Sequence, residues 1–169
     1  TRPTTNKNTI ISNEYKLLKI DTLDNQPISE KIIKLIENFI KKERCDAIIF
    51  SDFRHGIFNN TSIPIFISSV KKDIFKAADS QVATRWGNIT DYKQFDLITP
   101  NEREVRFSLA DQDSSISDMT RQLVSIMNFK NLILKVGEKG IFSVDNQEKN
   151  KPRPAFVVPS LVTNVVDTV

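Results

Sequence analysis

The sequence contains little cysteine and little glycine. One cysteine occurs among 169 residues, so an intramolecular disulfide is excluded, and this usage is typical of a reducing compartment. Four glycines and seven prolines are too few for a low-complexity chain. No run approaches the roughly 18 apolar residues that a membrane span requires. From these features we expect a cytoplasmic protein with no membrane partner.

Charge of one sign is not in large excess either. The 24 lysines and arginines are spread among 21 aspartates and glutamates, which leaves a net charge of +3. The aromatic residues are mostly phenylalanines inside apolar runs, a pattern that indicates core packing rather than base stacking. We therefore expect no nucleic-acid partner. With 39% hydrophobic residues, the chain has enough apolar side chains for one core and one domain.

Hydrophobic spacing predicts an alternation of strands and helices. Strands are predicted at residues 4–12, 15–21, 47–50, 75–78, 97–98, 132–136, 141–144, 156–158 and 165–166. Helices are predicted at residues 29–43, 61–72, from Pro100 onward, and at 115–128. Strands separated by helices form βαβ units, so the pattern predicts an α/β fold with a mainly parallel sheet. The first two strands predict a separate β-ribbon, which needs a packing partner because two strands alone are marginally stable.

Polar residues end several of the predicted strands. They are Asp52, Asp79, Thr99–Asn101 and Lys135–Gly137. The carboxyl ends of parallel strands share one edge of a sheet, and ligands bind there in open α/β folds. For Asp52 the alternative is a residue that caps a turn. His55, the only histidine, is interpreted as an exposed loop residue, because no second metal ligand or nucleophile lies near it in the sequence.

The segment Thr99–Arg106 is predicted to turn from a buried strand into a helix. Pro100 suits the first helical position, and Thr99 and Glu102 have the spacing of a capping box. This interpretation gives Glu102 a structural role and leaves Asn101 and Glu104 free on one face of the first turn. The alternative for Glu104 is a first-turn acid that the helix dipole favours.

Four stretches together resemble the ribokinase-like (PfkB) carbohydrate kinases, most of all the heptose 7-phosphate kinase branch that serves ADP-heptose synthesis. They are Arg2–Lys7 with Leu17–Asp21, Ser51-Asp52 with Gly56, Thr99–Glu104 with its Asn-x-x-Glu, and Gly137–Gly140 followed by Val166–Thr168. The resemblance implies a three-layer fold, with a mainly parallel sheet and helices on both faces. Residues 1–22 would form a β-hairpin lid, and residues 23–169 would form part of the α/β core.

The resemblance also implies an activity and a site. The parent protein would transfer the γ-phosphoryl group of ATP to a hydroxyl of a sugar or sugar phosphate. Mg²⁺ would be held by Asn101 and Glu104. Nucleotide contacts would come from Asn101, Lys135, Gly137 and Gly140, and sugar contacts from Lys7, Asp52, Asp79 and Asp167. In this family the lid ribbon often pairs with that of a second subunit, which implies a homodimer.

The family's Gly-Ala-Gly-Asp motif is expected just after Val169, so the catalytic base would lie outside the chain and the chain alone would be inactive. The sequence also departs from the heptose branch at four places. Asn8 stands where the branch usually has Arg, and His55 where it usually has Lys. Asp79-Ser80-Gln81 stands where it usually has Asp-Pro-Lys, and Lys135 where it usually has Thr. The alternative is a catalytically silent ribokinase-like domain that binds a sugar phosphate or nucleotide or mediates assembly. A third interpretation is a generic nucleotide-binding α/β domain.

Overall fold

The computed structural model describes residues 3–13, 15–81, 88–146 and 155–161. These residues form a two-stranded ribbon, a six-stranded sheet and four α-helices. The strands are β1 (Asn6–Ser12), β2 (Tyr15–Thr22), β3 (Ala47–Asp52), β4 (Phe75–Ser80), β5 (Leu97–Ile98), β6 (Asn131–Lys135), β7 (Ile141–Asp145) and β8 (Ala155–Val158). The helices are α1 (Glu30–Lys42), α2 (Ser62–Ser69), α3 (Glu102–Leu109) and α4 (Ile116–Met127).

The six strands lie in chain order, β3-β4-β5-β6-β7-β8. The strands from β3 to β6 are parallel, and β7 and β8 add in antiparallel orientation. The predicted βαβ units are therefore confirmed, and β6 and β7 form an antiparallel pair. The predicted strand at 165–166 lies outside the described residues.

Helix α1 shows why the sequence predictions were close. Ser29 occupies the N-cap position in an extended conformation, Ile33 is buried, and Lys41 and Lys42 lie in the last turn, where the helix dipole favours cations.

Helix α2 is shorter than predicted. It ends at Ser69, and the hydroxyls of Ser68 and Ser69 both donate to the carbonyl of Ile65.

The main core lies on one face of the six-stranded sheet. Its strand residues are Phe50, Ala78, Ile98, Leu132, Leu134 and Val144. Side chains of α-helices pack on them, among them Phe66, Val105 and Leu123, each at most 2% exposed. Met119 and Met127 of α4 are fully buried. Tyr92 and Phe95 pack edge to face with Phe50, at ring-centroid distances of 6.1 and 5.2 Å.

The opposite face of the sheet, here called the open face, is not covered by any helix of the described residues. Side chains alternate across a strand, and the strand register places these residues on it: Ala47, Ile49, Ser51, Phe75, Ala77, Asp79, Leu97, Asn131, Ile133, Lys135, Ile141, Ser143, Asp145, Phe156 and Val158. Every one of them is half-buried or exposed. The helices of the described residues all pack on the core face, whereas the family resemblance implies helices on both faces.

The ribbon of β1 and β2 is antiparallel, with a register shift between Ile10 and Ile11. All residues of both strands are exposed, and they include Tyr15 and Leu17 at 76% and 64%. The ribbon thus shows the apolar surface of an element that needs a packing partner.

Among the described residues, no helix is both long and apolar enough to cross a membrane.

Asp96 connects the start of β5 to two neighbouring strands, and we expect it to make stability depend on pH. Burial alone would raise its pKa, but hydrogen bonds from the Lys130 ammonium at 2.6 Å and the Lys76 amide at 2.7 Å outweigh burial and lower the pKa below its ordinary value. A carboxyl group with a lowered folded pKa stabilises the fold above its unfolded pKa of about 4, and this contribution is lost as the pH falls.

Asp96→Asn should therefore lower the free energy of unfolding most at neutral pH. The difference from the wild type should shrink as the pH falls below about 4. Urea unfolding at a series of pH values measures this difference. A difference that stays constant down to low pH would contradict the role of the charge.

Candidate functional site

Three polar side chains meet at the carboxyl edge of β4, β5 and β6. Asp79 is in β4, Thr99 follows β5, and Lys135 ends β6. The Lys135 ammonium lies 2.9 Å from Asp79 Oδ1, and the Thr99 hydroxyl donates to the same oxygen at 3.1 Å. Lys135 therefore reaches across the end of β5. These strand ends come together as the sequence pattern predicted, on the rim of the open face.

Asn101 and Glu104 form the cap of α3, which corrects the predicted cap. Asn101 is the N-cap residue, and its Oδ1 accepts from the Glu104 amide at 2.8 Å. The Glu104 carboxylate accepts from the Asn101 amide at 2.7 Å, which completes a capping box. The predicted box of Thr99 and Glu102 is wrong, and Pro100 is not the first helical residue.

The physical reason is that the sheet ladder continues past β5. The carbonyl of Pro100 accepts from the Lys135 amide at 2.9 Å, and Asn101 forms a parallel bridge with Lys135. These bonds hold the chain extended for two more residues, so the helix begins at Glu102. Glu102 instead pairs with Arg106 one turn later, at 2.7 Å.

The capping box limits what Asn101 and Glu104 have available for a ligand. Glu104 is buried, with 5% exposure. The Asn101 Oδ1 is used by the cap, whereas its Nδ2 makes no hydrogen bond to any residue that the structure describes. Asn101 can therefore cap the helix through its oxygen and donate to an anion through its nitrogen. Lys135, its bridge partner, supplies a cation beside it.

Asp52 lies on the other face of the sheet, away from Asp79. It is 1% exposed and accepts hydrogen bonds from the Tyr92 hydroxyl at 2.9 Å, the Ser80 hydroxyl at 3.3 Å and the Arg54 amide at 2.7 Å. Its carboxylate also forms an ion pair with the Arg54 guanidinium. Burial and the neighbouring Asp52 carboxylate raise the pKa of Tyr92 far above its ordinary value. Asp52 thus holds a polar network inside the protein.

Sequence reasoning missed Tyr92 and Ser80 as partners of Asp52. Tyr92 lies 40 residues further along the chain, and no motif connects the two positions. Ser80 belongs to the next strand, whose predicted end at Ala78 was two residues too early. The alternation of faces in the longer strand would have identified Ser80 as the neighbour of Asp52.

His55 is half-buried against Phe53, at a ring-centroid distance of 6.2 Å, rather than fully exposed.

Two other predicted sugar contacts are not joined to these clusters by the structure. Lys7 lies on β1 opposite Asp21 of the ribbon. Asp167 lies outside the described residues.

The turn after Lys135 contains two glycines that the sequence singled out. Gly137 and Gly140 both have positive φ angles, of 60° and 92°. A Cβ atom on Gly140 would lie 2.0 Å from the carbonyl oxygen of Val158, whereas one on Gly137 would meet nothing within 4 Å. Gly140 is therefore required for the close approach of β8, and Gly137 is required only for its backbone conformation.

Alanine substitutions should separate these two roles. Gly137→Ala is expected to cost about 1–2 kcal/mol of unfolding free energy, the cost of a left-handed residue. Gly140→Ala should cost more, because the clash is with backbone atoms that cannot rotate away. Thermal unfolding of both variants measures this. Equal effects would show that the approach of β8 is not tight.

The donor set suits Mg²⁺ rather than a metal held by protein side chains alone. No group of three or more His, Cys, Asp or Glu side chains that could hold a metal ion is found in the described part of the chain. Asn101 and Glu104 offer one amide and one carboxylate. Mg²⁺ keeps several waters and binds through one or two carboxylates together with substrate phosphates, so this pair fits it.

Comparisons with known proteins agree with this architecture. The chain is 27% identical to the bifunctional protein HldE of Desulfatibacillum aliphaticivorans over 146 residues, which are 83% of this chain and 29% of that protein. It is 25% identical to HldE of Wolinella succinogenes over 173 residues, which are 99% of this chain and 36% of that protein. No protein-family model matches.

Solved structures show the same fold at low sequence identity. Ribokinase from Giardia lamblia matches with a TM-score of 0.68 and 12% identity, covering 96% of this chain and 49% of that one. Arabidopsis thaliana ribokinase, complexed with ribose and ATP, matches with a TM-score of 0.64 and 15% identity, covering 99% of this chain and 52% of that one. Phosphofructokinase-2 from Escherichia coli, in complex with potassium, matches with a TM-score of 0.65 and 14% identity over 87% of this chain and 47% of that one.

The chain therefore has the ribokinase-like α/β fold of these solved ribokinase structures. Its sequence is similar to those of bifunctional HldE proteins. The chain spans about half the length of the matched structures and about a third of the length of these relatives.

Proposed function

We propose that this chain is part of an ATP-dependent kinase that phosphorylates a hydroxyl of a sugar phosphate of the heptose 7-phosphate type. The observation that carries the proposal is the group of Asp79, Thr99 and Lys135 at one sheet edge, beside the Asn101–Glu104 cap. The similarity to HldE supports the choice of sugar. The work of such a site is to position the substrates and stabilise charge.

Two donors of this edge form the nucleotide side of the proposed site. The Lys135 ammonium and the Asn101 Nδ2 belong to bridged residues, so both can reach one phosphate group. Lys135 is now paired with Asp79 at an exposed position, where such a pair contributes only about 0–1 kcal/mol and is easily exchanged. The turn that follows this lysine has its exposed backbone at Gly137, where a nucleotide could approach, whereas Gly140 is packed against β8.

Glu104 and Asn101 would hold Mg²⁺ in this proposal. The ion would neutralise charge on the ATP phosphates when it is bound. The capping box fixes both residues, so water molecules would mediate their contact with the ion. A buried carboxylate fixed in this way favours a cation nearby without rearranging to meet it.

The sugar side of the proposal is assigned to Asp79, Lys7 and Asp167. Asp79 Oδ1 accepts from Thr99 and Lys135, whereas no hydrogen bond to its Oδ2 is formed within the described residues. This second oxygen can accept from a sugar hydroxyl. Lys7 on the ribbon would meet the phosphate of the sugar. Asp52 lies on the opposite face of the sheet from Asp79, and four donors already surround its carboxylate, so its role in this proposal is to hold Arg54 rather than to contact the sugar.

We further propose that the parent protein is a homodimer formed through the ribbon. The exposed apolar residues of β1 and β2 support this assignment. The catalytic base is proposed to lie in a Gly-Ala-Gly-Asp segment beyond Val169, so the 169-residue chain alone is expected to be inactive.

The proposal is tested by measuring ADP release from ATP and Mg²⁺ by the full-length protein with a panel of sugars and sugar phosphates. ADP release that depends on one class of sugar phosphate is the expected result. A reaction without sugar measures background hydrolysis. No turnover on any sugar, although the Gly-x-Gly-Asp motif is intact, would support the catalytically silent domain instead.

A further inference from the structure

Two donors share one carboxylate oxygen of Asp79 at the end of β4. The Lys135 ammonium lies 2.9 Å from Oδ1, and the Thr99 hydroxyl donates to the same atom at 3.1 Å. Both charged side chains are partly exposed, Asp79 at 32% and Lys135 at 45%. If the ammonium moved away, Thr99 would still hold the Asp79 carboxylate in place.

The backbone of Lys135 is fixed by the sheet, whereas its ammonium group can change partner. The amide donates to the carbonyl of Pro100 at 2.9 Å, and the residue forms a parallel bridge with Asn101. The ammonium has three donor hydrogens, and its one hydrogen bond within the described residues is to Asp79. A flexible four-carbon stem joins the ammonium to this fixed backbone. The ammonium can therefore move without any change in the sheet.

A carboxylate and a phosphate group would compete for this ammonium. In the proposed function Lys135 contacts a phosphate of the nucleotide, and the present inference rests on that assignment. A lysine that bridged both anions would hold them about 6 Å apart, twice the length of one contact, and like charges repel at that distance. Moving the ammonium fully onto the phosphate avoids holding the two anions together.

We propose that Asp79 holds Lys135 away from the nucleotide position, and that the ammonium transfers from Asp79 to a phosphate group when the nucleotide binds. Asp79 is thus a competitor of the nucleotide for this lysine. The transfer leaves Thr99 as the donor to Oδ1, so that both oxygens of the carboxylate can accept hydrogen bonds from hydroxyls of the sugar. By linkage, the nucleotide and the sugar then strengthen each other's binding.

A double-mutant cycle tests the transfer without a sugar. The full-length protein, Asp79→Asn, Lys135→Met and the double variant are titrated with Mg-ADP in a calorimeter. Asparagine keeps an acceptor for Thr99 but removes the competing charge. Because an exposed ion pair is weak, Asp79→Asn should tighten Mg-ADP binding by about two- to fivefold. In the Lys135→Met background the same change should alter binding by less than about twofold, since only screened repulsion remains.

Glu37→Gln is the matched control for the loss of a carboxylate. Glu37 pairs with Lys41 on α1, and the side chains are 27% and 55% exposed, much like the edge pair. This variant should bind Mg-ADP like the wild type, and melting curves of all variants report their folding.

The possible results separate the transfer from the proposed function. Equal tightening by Asp79→Asn in both backgrounds would indicate simple charge repulsion. Unchanged or weaker binding by Asp79→Asn would show that Asp79 does not compete for the lysine. Either result overturns the transfer and leaves the nucleotide site standing. A wild-type protein that does not bind Mg-ADP would instead overturn the proposed nucleotide site itself, and the transfer with it.

Discussion

Replacing Arg54 with methionine should lower the free energy of unfolding by about 3–5 kcal/mol, the cost of breaking a buried ion pair from one side. Asp52 is 1% exposed and the Arg54 side chain 10% exposed. Without the guanidinium, the buried Asp52 side chain would be left with only the Tyr92 and Ser80 hydroxyls and one amide as donors. Urea unfolding followed by circular dichroism measures the loss.

A surface ion pair provides the control for Arg54. Lys41 pairs with Glu37 one turn away on α1, and its side chain is 55% exposed. Lys41→Met removes a cation in the same way and should cost no more than about 0.5 kcal/mol. If the two variants were equally stable, Asp52 would not depend on Arg54, and the network would not be the stabilising feature that its burial indicates.

The second large effect is expected on nucleotide binding, from substitutions that leave the α3 cap intact. Asn101→Asp keeps an N-cap side chain of equal quality but replaces the Nδ2 donor with a negative oxygen. The affinity of the full-length protein for Mg-ADP should fall tenfold or more, because a hydrogen bond to a charged group contributes about 1.5–3 kcal/mol. Thermal stability should change little. Isothermal titration and a melting curve give both results.

Glu104→Gln tests the metal in the same manner. Glutamine preserves the capping box but removes the charge, so the Mg²⁺ concentration for half-maximal activity should rise. Asn38→Asp adds the same negative charge at an exposed position of α1 and is the control for the Asn101→Asp experiment. If Asn101→Asp bound Mg-ADP like the wild type, the pair would be only a helix cap.

The sequence predicted the order of the elements because each element carries its own signal. Helix α1 has a strong apolar stripe and a serine before it, so its bounds were predicted to within one residue. The capping box of α3 was wrong for a reason that local spacing cannot show. Thr99 and Glu102 have the same spacing as Asn101 and Glu104, and only the ladder from Pro100 to Lys135 decides between them.

Long-range pairs were the other limit of sequence reasoning. The Asp52 carboxylate was predicted to face a ligand, yet its environment is set by Tyr92, which is distant in sequence. Lys135 shows the converse. It stands where the resembled family usually has threonine, and the lysine expected after Asp79 is absent at Gln81. In the structure the Lys135 ammonium pairs with Asp79, so this edge of the sheet keeps a cation. Neither residue 81 nor residue 135, taken alone in the sequence, indicates that a cation lies beside Asp79.

The carboxyl edge of β4, β5 and β6 is the proposed nucleotide-binding surface. Amide hydrogen exchange of the full-length protein, with and without Mg-ADP, tests it most directly. Protection should appear at residues 99–104 and 135–140, with no change at Asp52 and Arg54 on the covered face. Protection at Asp52 and Arg54 without protection at residues 99–104 and 135–140 would contradict the account.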